Sequence, residues 1–294
     1  MKHSLTYYIT LFAIQLKGIK KSFSQDPVDV EKIRKEDVHN PKGRFFKNNV
    51  LQKFNVLDSV ITEIGVNANS DQLLLCIHGG AFISGPAQHH WDTMKTIAQR
   101  TNFKIWLCDY PKAPEYTITT VSKNIDEIDQ KALQNYDAKA ICCIGDSVGG
   151  TLITALMQRM VLQNKEVPRK IILVCPVMDA SMSNPAIDTK EKIDPMLSKI
   201  GILSAKKMCA GDIDLKDSMI SPLFGSFEGF PPTLLCMGQN DIMYPDEKLA
   251  LDKLQEANVA VEIIEGVDMP HIWPFLPVMK EAKIALEKII KVLH

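Results

Sequence analysis

The chain has 294 residues, 46% of them hydrophobic and 23% charged, with a formal net charge of -1. This balance excludes a disordered, collagen-like or repeat chain and leaves enough apolar material for one large core with a small accessory cap. Without a concentrated basic face the chain is not expected to bind nucleic acid, so the expected partner is a small, roughly neutral or apolar molecule.

In chain order, the first feature is a charge-free run from Ser4 to Leu16, flanked by Lys2, Lys17, Lys20 and Lys21. It is too short to span a bilayer and lacks the small-residue cleavage site of a signal peptide. Leu5, Tyr8, Ile9, Phe12, Leu16 and Ile19 fall at helical spacing, which predicts an amphipathic helix. A helix lying over the core as part of a lid is preferred here to one touching a membrane surface. Residues 25–50 are polar and interrupted by proline, as expected of a connection into the body. Residues 1–50 are therefore assigned to a cap helix and its connection, and residues 51–294 to the main domain.

From residue 54 the chain repeats a cycle of short apolar run, loop and longer helical pattern. Strands are predicted at 54–64, 73–77, 103–107, 140–144, 170–174, 233–236 and 259–264. Helices are expected to begin near Trp91, Ile118, Val148, Asp246 and Phe275. Such alternation predicts an α/β fold with a mostly parallel central sheet flanked by helices, because parallel strands need a crossover between them. Ligands of such sheets bind beyond the carboxyl ends of the strands. Residues 180–225 break the cycle with a long, Met-rich polar stretch, expected to be a cap insertion.

Five of the seven cysteines (Cys76, Cys108, Cys142, Cys143 and Cys175) lie in or beside apolar runs, and Cys236 in another. Without a short metal-binding spacing they read as reduced, buried thiols of a cytoplasmic protein, with neither metal nor cofactor expected.

The strongest local signal is Gly145-Asp146-Ser147-Val148-Gly149-Gly150, following an apolar strand and opening an apolar helix. This is the setting of a nucleophile elbow, in which glycines permit a sharp turn and the serine is left at the strand tip. A Gly-rich turn or a phosphate site at a helix N-terminus is the plainer alternative. Serine needs a base to take its proton and an acid to orient that base. His271, in the loop after the last strand, is the candidate base, and Asp241, at the end of the preceding strand, the candidate acid. Asp268, Glu265, Asp246 and Glu247 compete for that role, whereas Asp146 is expected to point away from the site. His78-Gly79-Gly80-Ala81, directly after a strand, fits a loop that donates backbone N–H groups to an oxyanion, with Val148 as a further donor. His78 itself is expected to be structural.

Taken together, HGGAFISG (78–85), DYPKAPEY (109–116), GDSVGG (145–150), SPL (221–223), GQNDIMYPDE (238–247) and PHIW (270–273) resemble the hormone-sensitive-lipase-like esterases of the α/β-hydrolase superfamily, from about residue 70 to 290. The resemblance implies an α/β-hydrolase fold with a small helical cap and a cofactor-free serine carboxylesterase acting on short to medium acyl esters. It also implies oxyanion donors at Gly80, Ala81 and Val148, with Gly79 in the same loop. Ala81 stands where the family has a third glycine, and Val148 where it has alanine. Amidase or formamidase action on the same triad is the alternative within enzymes. Outside them, it is a small-ligand receptor similar to the plant gibberellin receptors, which would lack the histidine. A homodimer is compatible with all of these readings.

Overall fold

The apolar runs of the sequence form one eight-stranded sheet in the computed structural model, which describes residues 3–294. Its strands are β1 (Val50–Val56), β2 (Ser59–Ile64), β3 (Leu73–Ile77), β4 (Lys104–Asp109), β5 (Ile141–Asp146), β6 (Lys170–Val174), β7 (Thr233–Gly238) and β8 (Val261–Gly266). The spatial order is β1-β2-β4-β3-β5-β6-β7-β8. The first two strands join antiparallel, and β3 to β8 are mutually parallel. Every residue of β3, β5 and β7 is buried, as expected where helices cover both faces of a parallel sheet.

Four helices precede the sheet: α1 (Leu5–Lys17), α2 (Ile19–Ser22), α3 (Val30–Arg34) and α4 (Arg44–Asn49). The crossovers use α5 (Gln88–Arg100), α6 (Ile118–Leu133), α7 (Val148–Leu162), α8 (Ile187–Glu191), α9 (Lys199–Ala210) and α10 (Tyr244–Glu256), and α11 (Lys280–Leu293) ends the chain.

Three expectations need correction. The strand predicted at 54–64 is a hairpin, because Leu57 turns left-handed at φ 49° and Asn124 of α6 accepts from both Asp58 N–H and Ser59 Oγ, at 3.0 and 2.9 Å. The last helix begins at Lys280 rather than near Phe275, since Pro274 and Pro277 confine that stretch to a single 3-10 turn. The N-terminal helix forms, but its predicted apolar face points outward. Leu5, Tyr8, Ile9, Phe12 and Leu16 are exposed, while Tyr7, Thr10 and Ile14 face the body. Polar ties fix that orientation: Ser4 N–H and Oγ donate to Glu281, and Tyr7 Oη donates to the Asp268 carbonyl.

Residues 180–225 carry α8 and α9 and interlock with the N-terminal segment. Gly201 N–H donates to the Phe23 carbonyl at 3.0 Å, so close that a Cβ there would lie 2.1 Å from that oxygen. Val28 N–H donates to Ser204 Oγ and Lys20 Nζ to the Asp194 carbonyl.

Candidate active site

Between β5 and α7 the chain turns so sharply that Ser147 adopts φ 52°, ψ −124°. Such a conformation costs on the order of 1–3 kcal/mol and persists only where neighbours hold it. Here Ser147 N–H donates to the Val174 carbonyl at 2.9 Å, and the Ser147 carbonyl accepts from Val177 N–H at 3.1 Å. Gly149 lets the start of α7 approach β3, since a Cβ would stand 2.0 Å from the Ile77 carbonyl oxygen. The serine is thus presented at the carboxyl edge of the sheet.

Two strands away, β7 ends in a loop fastened to the end of β8 and the chain after it: Gln239 N–H donates to Gly266 O and Asn240 N–H to Met269 O. That fastening brings Asp241 to His271, with Oδ2 and Nδ1 2.6 Å apart, and both residues are buried. Met243 N–H donates to the other carboxylate oxygen at 2.9 Å. An Nδ1–H held by Asp241 leaves Nε2 as the basic atom. Burial disfavours the imidazolium, yet the charge and hydrogen bond of Asp241, helped by Asp194 and Asp146, outweigh it and raise the His271 pKa above its ordinary value.

Three of the four rival acids are engaged elsewhere, and the fourth, Glu247, is buried with neither carboxylate oxygen partnered. Asp268 pairs with His3, Glu265 accepts from Tyr244 Oη and Gln239, and Asp246 accepts from Asn184. Asp146 turns toward the glycine loop, accepting from Gly79 N–H at 3.0 Å, and pairs with His90 at 3.2 Å. Burial would lift its carboxyl, but the neighbouring His90 and Gly79 hold it down at about 2.

That bond corrects the expectation for Gly79, whose N–H is occupied by Asp146 and is not available to an oxyanion. The N–H groups of Gly80, Ala81 and Val148 have no acceptor among the described residues. The loop abuts the serine, since a Cβ on Gly79 would come within 3.0 Å of Ser147 Cβ. Gly80 (φ 119°) admits no side chain, as its Cβ would meet the Ser84 carbonyl at 2.2 Å. Ala81 and Phe82 are both left-handed, at φ 55° and 66°, so alanine does take up the conformation that glycine would adopt more readily. His78 stacks on Tyr110 at 4.5 Å, and burial drives its pKa down to about 4. It is a neutral packing group, as expected.

Two features escaped the sequence reading. The stretch around residues 34–38 is a strap over the glycine loop: Arg34 donates to the carbonyls of Ile83 and Ala113 while forking onto Glu115, and Asp37 accepts from Gly85 N–H at 2.6 Å. Neither residue belongs to a recognisable pattern. The other is Asp194 of the inserted segment, buried beside the acid loop, whose carboxylate accepts from Ile242 N–H at 2.8 Å. A cleft of about 760 Å³ lined by Phe54, Glu63, Trp106 and Tyr136 lies at the opposite, amino end of the parallel strands, away from these groups.

Comparison with known proteins agrees with this architecture. Residues 74–275 match the family model described as alpha/beta hydrolase fold. The chain is similar to an esterase of Acinetobacter venetianus, 35% identical over 202 residues, which cover 68% of this chain and 66% of that protein. It is also similar to a triacylglycerol lipase of Mycobacterium tuberculosis, 29% identical over 58% of this chain and 35% of that one. The match thus spans just under two thirds of the first relative and about a third of the second. Among solved structures, an esterase from the bacterial hormone-sensitive lipase family superposes with a TM-score of 0.87 at 22% identity, covering 100% of this chain and 98% of its own. Sheet order, elbow and matched residues agree, and the chain belongs to the alpha/beta hydrolase fold family.

Proposed function

We propose that the protein is a serine carboxylester hydrolase for small esters of short to medium acyl length, with Ser147 as nucleophile, His271 as general base and Asp241 as the orienting acid. The observation that carries this reading is the buried Asp241–His271 pair, 2.6 Å apart, at the same sheet edge as the strained Ser147. His271 Nε2 takes the Ser147 hydroxyl proton as Oγ adds to the ester carbonyl, and the N–H groups of Gly80, Ala81 and Val148 receive the oxyanion. Collapse of the tetrahedral adduct breaks the bond to the alcohol oxygen, which leaves with the proton from His271. Water then attacks the acyl-serine in the same way, releasing the acid and restoring the hydroxyl.

The interlocked N-terminal segment and residues 180–225 form the cap in this reading, and the Met-rich composition of the latter favours an apolar acyl group. No helix among the described residues is long and apolar enough to cross a membrane. All seven cysteines are free and buried, which supports a cytoplasmic setting. The names of the Acinetobacter and Mycobacterium relatives point to ester cleavage rather than to amides. A receptor of the gibberellin type would lack a base, and His271 occupies that position.

Hydrolysis of p-nitrophenyl esters of increasing acyl length tests the assignment, with Ser147→Ala and His271→Ala alongside. Turnover should be highest with short to medium chains and fall to background in both variants. A folded wild type inert towards esters but active on anilides would reassign it as an amidase.

A further inference from the structure

Behind the acid–base pair stands a second buried carboxylate that the reaction itself does not require. Asp194, 2% exposed, accepts three backbone N–H groups: Met196 and Leu197 on one oxygen, at 2.7 and 2.9 Å, and Ile242 on the other, at 2.8 Å. Ile242 directly follows the acid, and the next N–H, that of Met243, is held by Asp241 itself. Two consecutive peptide groups of the acid loop are therefore gripped by two different carboxylates, one belonging to the loop and one to the cap insertion. The Asp194 carbonyl in turn accepts from Lys20 Nζ of α2. A continuous set of bonds runs from the N-terminal helices through Asp194 to the residue that orients His271.

We infer that Asp194 is a positioning residue of the active site, fastening the acid loop to the cap and holding a second negative charge beside the Asp241–His271 pair. The inference rests on the triad assigned above. A carboxylate fits this role better than an amide, because an asparagine offers one acceptor oxygen and would turn an NH₂ donor toward either Ile242 or the Met196–Leu197 pair. Burial and the charge of Asp241 push the Asp194 carboxyl up to about 6, opposed by its three backbone donors, so the group is ionised at neutral pH and above.

The surroundings decide which charges act on His271. Asp241 faces it directly, Asp146 lies on the β5 side, and the Cys175 thiol at the end of β6 is within 4.8 Å of both members of the pair. His89 also faces this site, but burial lowers its pKa to about 3 and keeps it neutral. Burial and the charge of Asp241 push the Glu247 carboxyl well above its usual range. Lys20 and Lys190 are bound to backbone carbonyls of Asp194 and Gln239, while the buried ammonium of Lys206, whose pKa burial lowers to about 8, interacts with the charge of Asp241. Asp194 is thus one of three carboxylates that favour the imidazolium.

Asp194→Asn tests this. Two readouts are needed: the pH profile of kcat/KM on p-nitrophenyl butyrate, and the titration of the His271 ring followed by NMR, which needs no turnover. Expected results are an acid limb and a ring titration displaced to lower pH, and a kcat reduced roughly tenfold to a hundredfold, the scale of an acid loop misplaced by up to about 1 Å. Asp194→Glu, which keeps the charge, should return both midpoints toward wild type even if kcat stays low, and it serves if the asparagine variant does not fold. A reduced kcat with both midpoints unmoved would make Asp194 a mere turn cap and overturn the inference. If the wild type lacks esterase activity the triad reading fails, while the ring titration still decides the role of Asp194.

Discussion

A serine hydroxyl near neutral pH attacks esters poorly, and in the proposed triad what changes that is the neutral ring of His271. The ring must be unprotonated to act, and Asp241 raises its pKa above the ordinary histidine value despite its burial. Activity should therefore rise with pH through a midpoint above that ordinary value of 6.5 and plateau on the alkaline side. Asp241→Asn removes the charge and frees the tautomer, so kcat should fall by roughly 10³- to 10⁴-fold, and any residual activity should titrate at lower pH. Stopped-flow or steady-state profiles from pH 5 to 9 would show both effects, and an unchanged midpoint would mean that Asp241 does not hold the proton on Nδ1. Ser147, His271 and Asp241 can be proposed from the sequence because each lies at or shortly after a strand end in a recognisable local pattern. Gly79 was misjudged for a reason patterns do not carry: which N–H of a glycine loop is free depends on where a carboxylate 67 residues away directs its oxygen. Asp194 was invisible for the same reason, since its partner Ile242 lies 48 residues further on.

The elements follow their local propensities where one face is buried, and depart from them at the N-terminus. The α1 sequence is apolar nearly all round, with Tyr7, Leu11 and Ile14 on one side and Leu5, Ile9 and Phe12 on the other, so helical spacing alone could not say which side meets the body. Polar anchors at Ser4 and Tyr7 decide it. Similarly, residues 25–50 look like a linker because they are polar, yet polar atoms of Arg34 and Asp37 are what bind the glycine loop. Arg34 uses a rigid fork to hold Glu115 and two loop carbonyls at once, a set that a lysine ammonium cannot reproduce. Arg34→Ala should let the Gly80 and Ala81 donors drift and lower kcat roughly tenfold, less than the 10²- to 10³-fold loss typical of deleting a donor outright. Arg34→Lys should recover only part of that loss. Separate measurement of kcat and KM checks the claim, because a strap that merely stabilised the fold would lower the melting temperature and leave kcat of the folded enzyme unchanged.

At the scale of the whole molecule, the fold was legible because alternating buried strands and amphipathic helices leave few topologies, and short right-handed crossovers remove most of those. The sheet edge was less so: the run through Leu57 and Asp58 keeps its alternation across a turn that contains neither glycine nor proline. The same large interior that excludes water from the site also encloses charges that serve no chemistry, and these make stability depend on pH. Asp129, on the buried face of α6 and 4% exposed, is the clearest of them. Burial, only partly offset by Lys165 and Arg159, raises its carboxyl pKa from 3.8 to about 6. Because the folded-state value is raised, the native protein binds this proton more tightly than the unfolded chain, so the contribution of Asp129 to stability falls as pH rises between about 4 and 6 and stays unfavourable above. A shift of that size corresponds to an upper limit on the order of 3 kcal/mol. Asp129→Asn keeps the shape and removes the charge, at the cost of burying an amide, so a net gain of about 1–2 kcal/mol is expected at pH 8. In a chain of this size that corresponds to roughly 2–8 °C in melting temperature. The gain should shrink through pH 6 and vanish near pH 4, where both forms are neutral; a gain independent of pH would trace the effect to packing instead of charge.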